Sequence, residues 1–241
     1  MFLSINSRDR LASSNSSNDF QIKLPHDLTD VKTVELVSCV MPNSVYKIRA
    51  GVNDKLDFND GANKTITITP GAYSITSLCS YLLTQLNSSS SGFTACSYDT
   101  ITMKVTISRS SNFNLLFASG TNASTSVRKE IGFSAADLSA ATTYTGANVI
   151  QLYNPIGCYV CVNEFSLPHR TSAGTFYTFH IPMTVNTDGL IVVEKNSMYE
   201  QRIPLYNNNS SISTLTFRLK MNDGTDFALN NTDFELVLKF N

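Results

Sequence analysis

The sequence predicts a protein dominated by β-structure, a β-sandwich of about eight strands with a small α+β domain inserted into one connection. Apolar and polar residues alternate along many short segments, which is the period of a strand with one face on a core. The one convincing helix pattern lies in the middle of the chain, between segments with strand patterns. A chain of 241 residues is long enough to bury the core of such a domain with its insertion.

The predicted sandwich strands come from both ends of the chain. Near the C-terminal end, two alternating segments flank Asn222-Asp223-Gly224, a turn signal because Asp-Gly tolerates positive φ. Residues 34–42 are apolar on both faces, which is typical of a central strand, and Pro182 favours an edge or a bulge. The predicted strands are 20–24, 32–41, 149–153, 157–165, 175–185, 200–206, 215–221 and 234–240, with 190–193 a shorter candidate. Eight strands are the complement of a two-sheet jelly roll.

The middle of the chain is predicted to be the inserted domain. Apolar residues recur at helical spacing from Ile75 to Leu86, and Ser74 is placed to cap the N-terminus of that helix. Strand patterns lie on both sides of the helix, and an Ala/Thr/Ser-rich segment, 134–148, marks the second boundary. The predicted division is an N-terminal arm at 1–19, a sandwich formed by 20–50 and 149–241, and an inserted α+β domain at 51–148.

The charge content limits the classes of partner. The net charge is -1 and charged residues make up 15% of the chain, below the roughly 25% usual for soluble domains. Direct nucleic-acid binding is disfavoured because it requires a basic face. A polar surface with few charges suits permanent contact with protein neighbours, since desolvating ions is costly. The alternative is a neutral β-protein without such contacts.

The five cysteines do not form the pattern of a secreted disulfide framework. Their odd number, wide spacing and the absence of a signal peptide favour synthesis in a reducing cytosolic or nuclear compartment. Cys158 and Cys161 have CxxC spacing but lie in a predicted strand, where residues three apart face opposite sides. They are therefore predicted to be buried structural thiols. No segment approaches the ~18 consecutive apolar residues of a membrane span.

No catalytic constellation, cofactor motif or metal site is predicted. None of the histidines, His26, His169 and His180, lies in a known catalytic spacing, although distant residues can still converge in space. Three carboxylates near the last hairpin, Asp223, Asp226 and Asp233, leave a calcium site open as an alternative. Turn chemistry explains them more simply, because Asp satisfies local backbone donors.

Residues 1–19 are predicted to be an arm that adds to the sheet edge of a neighbouring subunit. Phe2 and Ile5 lie at its apolar tip, and Arg8 and Arg10 are expected to pair with carboxylates of the neighbour. These four residues are the predicted subunit-interface site. Deleting residues 1–19 is then expected to weaken assembly and leave the melting temperature of the monomer unchanged. A frayed tail is the alternative.

Four stretches, in order along nearly the whole chain, resemble penton and minor capsid proteins of virophages, polinton-like viruses and related large DNA viruses of eukaryotes. They are Ser7-Arg8-Asp9-Arg10 with the segment 18–25, then 34–46, then 66–74 with Glu130-Ile131-Gly132-Phe133, and finally 215–236. The resemblance implies a single jelly roll with an outward-facing insertion. It also implies pentamers that occupy the five-fold vertices of a shell built from a major capsid protein.

The expected function is therefore that of a non-enzymatic structural capsid protein, a homo-oligomer in the virion, assembled inside the host cell and not secreted. Its expected partners are copies of itself and the major capsid protein. The alternative is a receptor- or carbohydrate-binding module of a viral fibre or spike, since jelly rolls also serve as lectins. The chain has no Trp, the side chain with the largest face for stacking on a sugar. An enzyme is a third reading.

Overall fold

The computed structural model describes residues 1–14, 16–153, 155–165, 167–185, 189–195, 200–205 and 211–241. These residues contain one α-helix, α1 (Ile75–Ser89), and sixteen strands. The strands are β1 (Phe2–Asn6), β2 (Asp19–Leu28), β3 (Thr33–Pro42), β4 (Lys55–Asn59), β5 (Asn63–Thr67), β6 (Phe93–Asp99), β7 (Lys104–Leu115), β8 (Leu138–Thr145), β9 (Gly157–Val162), β10 (His169–Arg170), β11 (Phe176–Tyr177), β12 (Phe179–Pro182), β13 (Leu190–Glu194), β14 (Gln201–Pro204), β15 (Ile212–Lys220) and β16 (Glu235–Phe240).

The chain divides into two compact units. The first unit is formed by Met1–Val45 and Asn154–Asn241, and the second by Tyr46–Tyr153. Residues 46–50 and 149–153, which the sequence pattern assigned to the sandwich, therefore belong to the second unit. The predicted strand at 149–153 is wrong: the segment forms no strand, and the buried side chain of Leu152 belongs to the core of the second unit. The segment has an apolar pattern because its side chains are buried, although it does not pair in a sheet.

The first unit contains two antiparallel sheets. In the first sheet the strand order is β1-β16-β3-β13, and β14 pairs with β3 beyond the end of β13. In the second sheet the order is β12-β9-β15-β2. β3 is central, as its two apolar faces predicted. Pro182 lies in β12 at a sheet edge, as predicted, because the ring removes a ladder donor there. Tyr206, the predicted end of the strand at 200–206, lies outside the described residues.

The strand order identifies the unit as a jelly roll. With β13 and β14 counted as one position, the eight strands in chain order are β1, β2, β3, β9, β12, β13/β14, β15 and β16. The first strand pairs with the eighth, the second with the seventh and the third with the sixth, and the fourth pairs with the fifth. This is the pairing of one long hairpin rolled into two sheets, so the predicted eight-stranded jelly roll is confirmed.

The core of the sandwich lies between the inner faces of the two sheets. From Leu215 onward in β15, and throughout β16, every second residue is buried in it, because successive side chains of a strand point to opposite faces. The rings of Phe20 and Phe217 stack with their centroids 5.1 Å apart, and Phe234 meets Phe20 edge to face at 5.7 Å. These contacts join strands from both ends of the chain.

The second unit is an α+β structure. Its sheet has the order β5-β4-β7-β6, and β8 also pairs with β7. The helix predicted from Ile75 to Leu86 is confirmed as α1, which packs on β6 and β5 through its buried stripe. The Ser77 N–H donates to Ser74 Oγ at 3.1 Å, so Ser74 is the predicted N-cap. β8 was missed because its Ala/Thr/Ser-rich sequence has the composition of a boundary.

β1 completes the set of eight sandwich strands, although its residues were predicted to belong to the N-terminal arm. β1 pairs with β16 from Phe2↔Lys239 to Asn6↔Glu235. Ile5 is 1% exposed within the sandwich core, whereas Phe2 points outward and is 65% exposed. The segment is therefore an integral strand of its own chain. Because deletion of residues 1–19 would remove this core strand, we now expect it to lower the melting temperature of the monomer.

We expect Ile5→Ala to lower the free energy of unfolding by about 2–4 kcal/mol, because it leaves a cavity between the sheets. Phe2→Ala on the same strand is the matched control and should change that free energy by less than about 1 kcal/mol. Chemical denaturation followed by circular dichroism measures both. Equal effects of the two substitutions would contradict the placement of β1.

Candidate interaction surfaces

The four predicted interface residues do not act as one group in the structure. Ile5 is in the sandwich core, and Phe2 lies on the outer face of the first sheet, where the Lys239 ammonium is 5.9 Å from its ring centroid. Arg8 and Arg10 both pair with Asp233 of their own chain. The arginines therefore have an intramolecular carboxylate partner, and a role of these residues at a subunit interface stays a prediction.

Asp233, two residues before β16, binds the segment that follows β1. Its Oδ1 accepts from Arg10 Nη1 at 2.8 Å and from Ser7 Oγ at 2.9 Å, and its Oδ2 accepts from Arg8 Nε at 3.2 Å. Ser7 is buried, and it exchanges hydrogen bonds with Phe234: the Ser7 N–H donates to the Phe234 carbonyl and the Phe234 N–H donates to Ser7 Oγ, both at 3.0 Å. We call Ser7, Arg8, Arg10 and Asp233 the Asp233 latch.

The electrostatics of the Asp233 latch favour the ionised carboxylate. Partial burial by itself would raise the pKa of Asp233, but hydrogen bonds from Ser7, Arg10 and Arg8 and the charge of Arg10 outweigh it. The pKa of Asp233 therefore lies below its ordinary value. A depressed carboxylate pKa means that the latch stabilises the fold above that ordinary value, and that this stabilisation is lost as the pH falls through the folded-state pKa.

The outer face of the first sheet carries an apolar patch. Val40 of β3 is opposite Val192 of β13, and Pro42 is opposite Leu190. Leu190 and Val192 are 56% and 53% exposed. We call these four residues the Leu190 patch. On the inner face of the same two strands, Cys39, Met41, Ile191 and Val193 are buried in the sandwich core. The inner face of the β3–β13 pair is thus apolar, and so are two of its three outward-facing pairs; the third is Ser38 opposite Glu194.

The outer face of the second sheet carries a group of aromatic rings on β9, β11 and β12. Tyr159 stacks on the His180 imidazole with centroids 4.9 Å apart, and Tyr177 meets Tyr159 at 4.9 Å. Burial lowers the pKa of His180 below its ordinary value. Gly157 of β9 is paired with Pro182 of β12, which is two residues from His180. The imidazole of His180 reaches diagonally across and occupies the space that a Cβ on Gly157 would take. Gly157 is therefore required for this packing.

A cleft of about 410 Å³ lies in the first unit, lined by parts of β9, β11, β15 and the turn that follows β15. Its polar lining includes Arg218 and Lys220, which pair with Asp19 at 3.6 Å and with Asp226 at 2.6 Å. Phe176 is an exposed aromatic ring at this cleft, with the Arg170 guanidinium 5.2 Å from its centroid. The cleft thus combines paired cations with one aromatic face.

The remaining residues with potential chemistry have structural partners. Cys158 is buried in the sandwich core, whereas Cys161 points to the other side of β9 and its thiol donates to the Phe176 carbonyl at 3.2 Å. The two thiols of the CxxC segment therefore do not converge, as predicted. Asp223 accepts from the Thr225 N–H at 3.0 Å, in the way a turn aspartate does. No group of three metal-binding side chains is formed by the described residues.

The sequence pattern missed the Leu190 patch, although a signal for it was present. Residues 190–193 read Leu-Ile-Val-Val, and consecutive apolar residues in a strand mark burial on both faces. The outward-facing members of this run, Leu190 and Val192, are exposed in the single chain. Asp233 as the partner of Arg8 and Arg10 carried no sequence signal, since more than 200 residues separate them.

No protein-family model matches the sequence, and no curated protein matches it. Among solved structures, the crystal structure of the selenomethionine-labelled mavirus penton protein is similar to the chain over its whole length. The match covers 100% of this chain and 99% of that protein, with 11% sequence identity and a TM-score of 0.48. The strand order of the first unit defines the jelly roll independently of this likeness. No helix in the described part of the chain is long and apolar enough to cross a membrane.

Removing the charge of the Asp233 latch should destabilise the protein at neutral pH. We expect Asp233→Asn to lower the free energy of unfolding by roughly 1–3 kcal/mol, because Arg10 and Ser7 lose a charged acceptor. The difference from the unsubstituted protein should shrink as the pH falls below about 4, where the unfolded chain takes up a proton at Asp233, and it should be lost once the pH has fallen through the lower pKa of the folded state. Thermal unfolding at several pH values measures this difference.

Asp226→Asn is the control for that experiment, because Asp226 pairs with Lys220 at the exposed surface. Its effect should stay below about 1 kcal/mol. A loss for Asp233→Asn that persists unchanged at pH 2–3 would contradict the role assigned to its charge.

Gly157→Ala should destabilise the first unit by about 1–3 kcal/mol, since the added methyl group displaces the His180 ring. The same substitution in a His180→Ala background should be much less costly, because the space is then empty. A double-mutant cycle by chemical denaturation measures the coupling. Additive effects of the two substitutions would show that the ring does not occupy that space.

Proposed function

We propose that this chain is a structural capsid subunit of the penton type, which self-associates as a pentamer and contacts the major capsid protein. The observation that carries the proposal is the Leu190 patch, four apolar residues on the outer face of the β3–β13 strand pair, of which Leu190 and Val192 are more than half exposed while the inner face of the same pair is buried. Strands of this kind are typical of sheets that are covered on both sides. The cover of the outer face is then supplied by a second copy of the same chain.

Three further features support this function. The fold of the first unit is a jelly roll, an architecture used by viral capsid proteins and lectins. Charged residues make up only 15% of the chain, which lowers the cost of burying its surface between neighbours. The ordered sequence stretches described above resemble penton and minor capsid proteins. None of these features specifies a catalytic reaction.

The mechanism of such a subunit is geometric. The Leu190 patch of one copy packs against a different surface of the next copy, and the repeated rotation closes a ring. Burying two exposed aliphatic side chains removes apolar area from water and stabilises the contact by a few kcal/mol. The rigid sandwich holds the patch in one orientation, so all copies present the same surface to their neighbours.

The second candidate is a receptor- or carbohydrate-binding module. The observation in its favour is the cleft beside Phe176, which places an exposed ring next to Arg218 and Lys220. Sugars stack on aromatic faces, and acidic sugars pair with cations. A glycan array with the purified chain tests this candidate, and a mass measurement separates a trimeric fibre from a pentameric vertex subunit.

Charges placed in the Leu190 patch should break the oligomer. We expect the double variant Leu190→Asp/Val192→Asp to weaken self-association by roughly 100-fold or more, because two apolar contacts are lost and two charges are desolvated. Sedimentation velocity and native mass spectrometry measure the oligomer, and negative-stain microscopy shows whether five-fold rings form.

Ile101→Asp is the control variant, since Ile101 is 90% exposed in the β6–β7 turn of the second unit. It should leave the rings intact, and both variants should keep the melting temperature of the monomer. A strictly monomeric unsubstituted chain at high concentration that is also absent from purified particles would overturn the proposal.

A further inference from the structure

The first sheet of the sandwich ends in two strands, β1 and β13, and each of them pairs with one neighbour among the described strands. Both strands are five residues long. In an edge strand, every second residue directs its backbone N–H and C=O groups away from the sheet. Such a row of groups is a template for pairing with another strand unless the fold blocks it.

On β1, the open backbone groups belong to Phe2, Ser4 and Asn6. The Ser7 N–H donates to the Phe234 carbonyl at 3.0 Å, so Ser7 faces β16. Alternation then directs the backbone groups of Phe2, Ser4 and Asn6 to the open side of the strand. Within the described residues, none of these three forms a backbone hydrogen bond on that side.

On β13, the open backbone groups belong to Leu190, Val192 and Glu194. The Lys195 N–H donates to the Val37 carbonyl at 2.8 Å, so Lys195 faces β3 and the alternate residues before it face away. Their backbone groups also have no partner in the described part of the chain. The strand contains no proline, and its pairing with β3 has no register shift.

The edges of the second sheet, by contrast, are closed from within the chain. On β12, the His180 N–H donates to Gln201 Oε1 at 2.6 Å, and Gln201 Nε2 donates to the His180 carbonyl at 2.7 Å. The amide of one side chain thus takes the place of an added strand. The next residue on the same side of β12, Pro182, has no N–H to offer.

The other edge strand of the second sheet, β2, is closed in a similar way. The Leu11 N–H donates to the Gln21 carbonyl at 2.8 Å, and the Gln21 N–H donates to Ser14 Oγ at 2.9 Å. Pro25 and a register shift in the β2–β15 pairing interrupt the rest of this edge. Proteins use such devices against edge-to-edge association. Within the described residues, both edges of the second sheet are therefore closed and both edges of the first sheet are open.

The directions of the two open strands allow them to pair with each other in neighbouring copies. β16 is antiparallel to β1, β3 is antiparallel to β16, and β13 is antiparallel to β3. β13 therefore runs opposite to β1. A β1 strand from a second copy, laid against β13 in a continuing sheet, forms an antiparallel ladder in which Phe2 lies on the same outer face as Leu190 and Val192.

We propose that β1 of one copy pairs with the open edge of β13 of the next copy, so that the first sheet continues from subunit to subunit. This inference rests on the self-association proposed above and names the surface that meets the Leu190 patch. Main-chain hydrogen bonds supply the affinity of such strand addition, and alternate side chains supply its specificity. Because the two edges differ, the contact is heterologous, and successive copies form a ring when their rotation closes.

One register pairs all three open residues of each strand. Its pairs are Phe2–Glu194, Ser4–Val192 and Asn6–Leu190. Phe2 is then diagonal to Val192, a separation that an aromatic ring spans, so the ring covers apolar surface of the Leu190 patch. Glu194 is the one charged side chain among the six, so no like charges meet across the ladder.

Proline substitutions on the open sides test this contact. Ser4→Pro and Val192→Pro each remove one outward N–H and keep the hydrogen bonds of the strand to its own neighbour. We expect each variant alone to self-associate roughly 100-fold more weakly than the unsubstituted chain. An equal mixture of the two should form a heterodimer and no ring, because one variant retains an intact β13 edge and the other an intact β1 edge. Sedimentation velocity and native mass spectrometry measure these species.

Lys23→Pro is the matched control, since Lys23 lies on the open side of β2. It should leave self-association unchanged, and melting temperatures show whether each variant folds. Hydrogen exchange of the unsubstituted chain tests the same contact without a substitution. Peptides that contain β1 and β13 should exchange about tenfold more slowly in the oligomer than after dilution to the monomer.

Self-association that survives Ser4→Pro, or a mixture without the heterodimer, would overturn the edge contact and leave the proposed capsid role in place. Equal exchange of the β1 and β13 peptides in oligomer and monomer would overturn it in the same way. A strictly monomeric unsubstituted chain at high concentration would instead remove the proposed self-association together with this contact.

Discussion

The pairing of β16 with β1 on one side and β3 on the other is the constraint on which the first unit depends. The last strand of the chain lies between the first and the third, so the first sheet cannot form until both ends of the polypeptide have met. Leu236, Leu238 and Phe240 then lie in the core opposite the second sheet. The entropy of closing so long a loop is offset only when this apolar face is buried.

The Asp233 latch acts at the same junction. Arg8 and Arg10 follow β1, and Asp233 precedes β16, so their ion pairs and the buried Ser7 hold the two strands in register. A register shift of one residue would move Ile5 to the outer face and Phe2 or Ser4 toward the core. The latch therefore contributes specificity to the sheet as well as stability. Arg8 and Arg10, which were predicted to pair with carboxylates of a neighbouring subunit, pair with Asp233 of their own chain.

Insertion of the second unit between β3 and β9 is compatible with this arrangement because the two strands belong to different sheets. A connection between sheets passes outside the ladders, so no hydrogen-bonded pair of the sandwich is interrupted. The cost of a longer connection grows slowly with its length, and the second unit has its own apolar core. The jelly roll thus retains its eight positions while the insertion folds around α1 and its sheet.

Local patterns in the sequence predict the strand-rich class, most of the sandwich strands and the helix with its Ser74 cap. These features depend on local periodicity and local hydrogen bonds, which a sequence displays directly. It also showed that Cys158 and Cys161 face opposite sides, since that follows from the period of a strand.

Features that join residues distant in sequence become visible only in the folded chain. β1 became a core strand instead of an arm because β16 offers it a partner, and 149–153 became buried coil because the second unit's core accepts Leu152. The Asp233 latch and the Leu190 patch each depend on which strands are neighbours. Alternation indicates which face of a strand is apolar, but the long-range pairing of strands determines what that face meets.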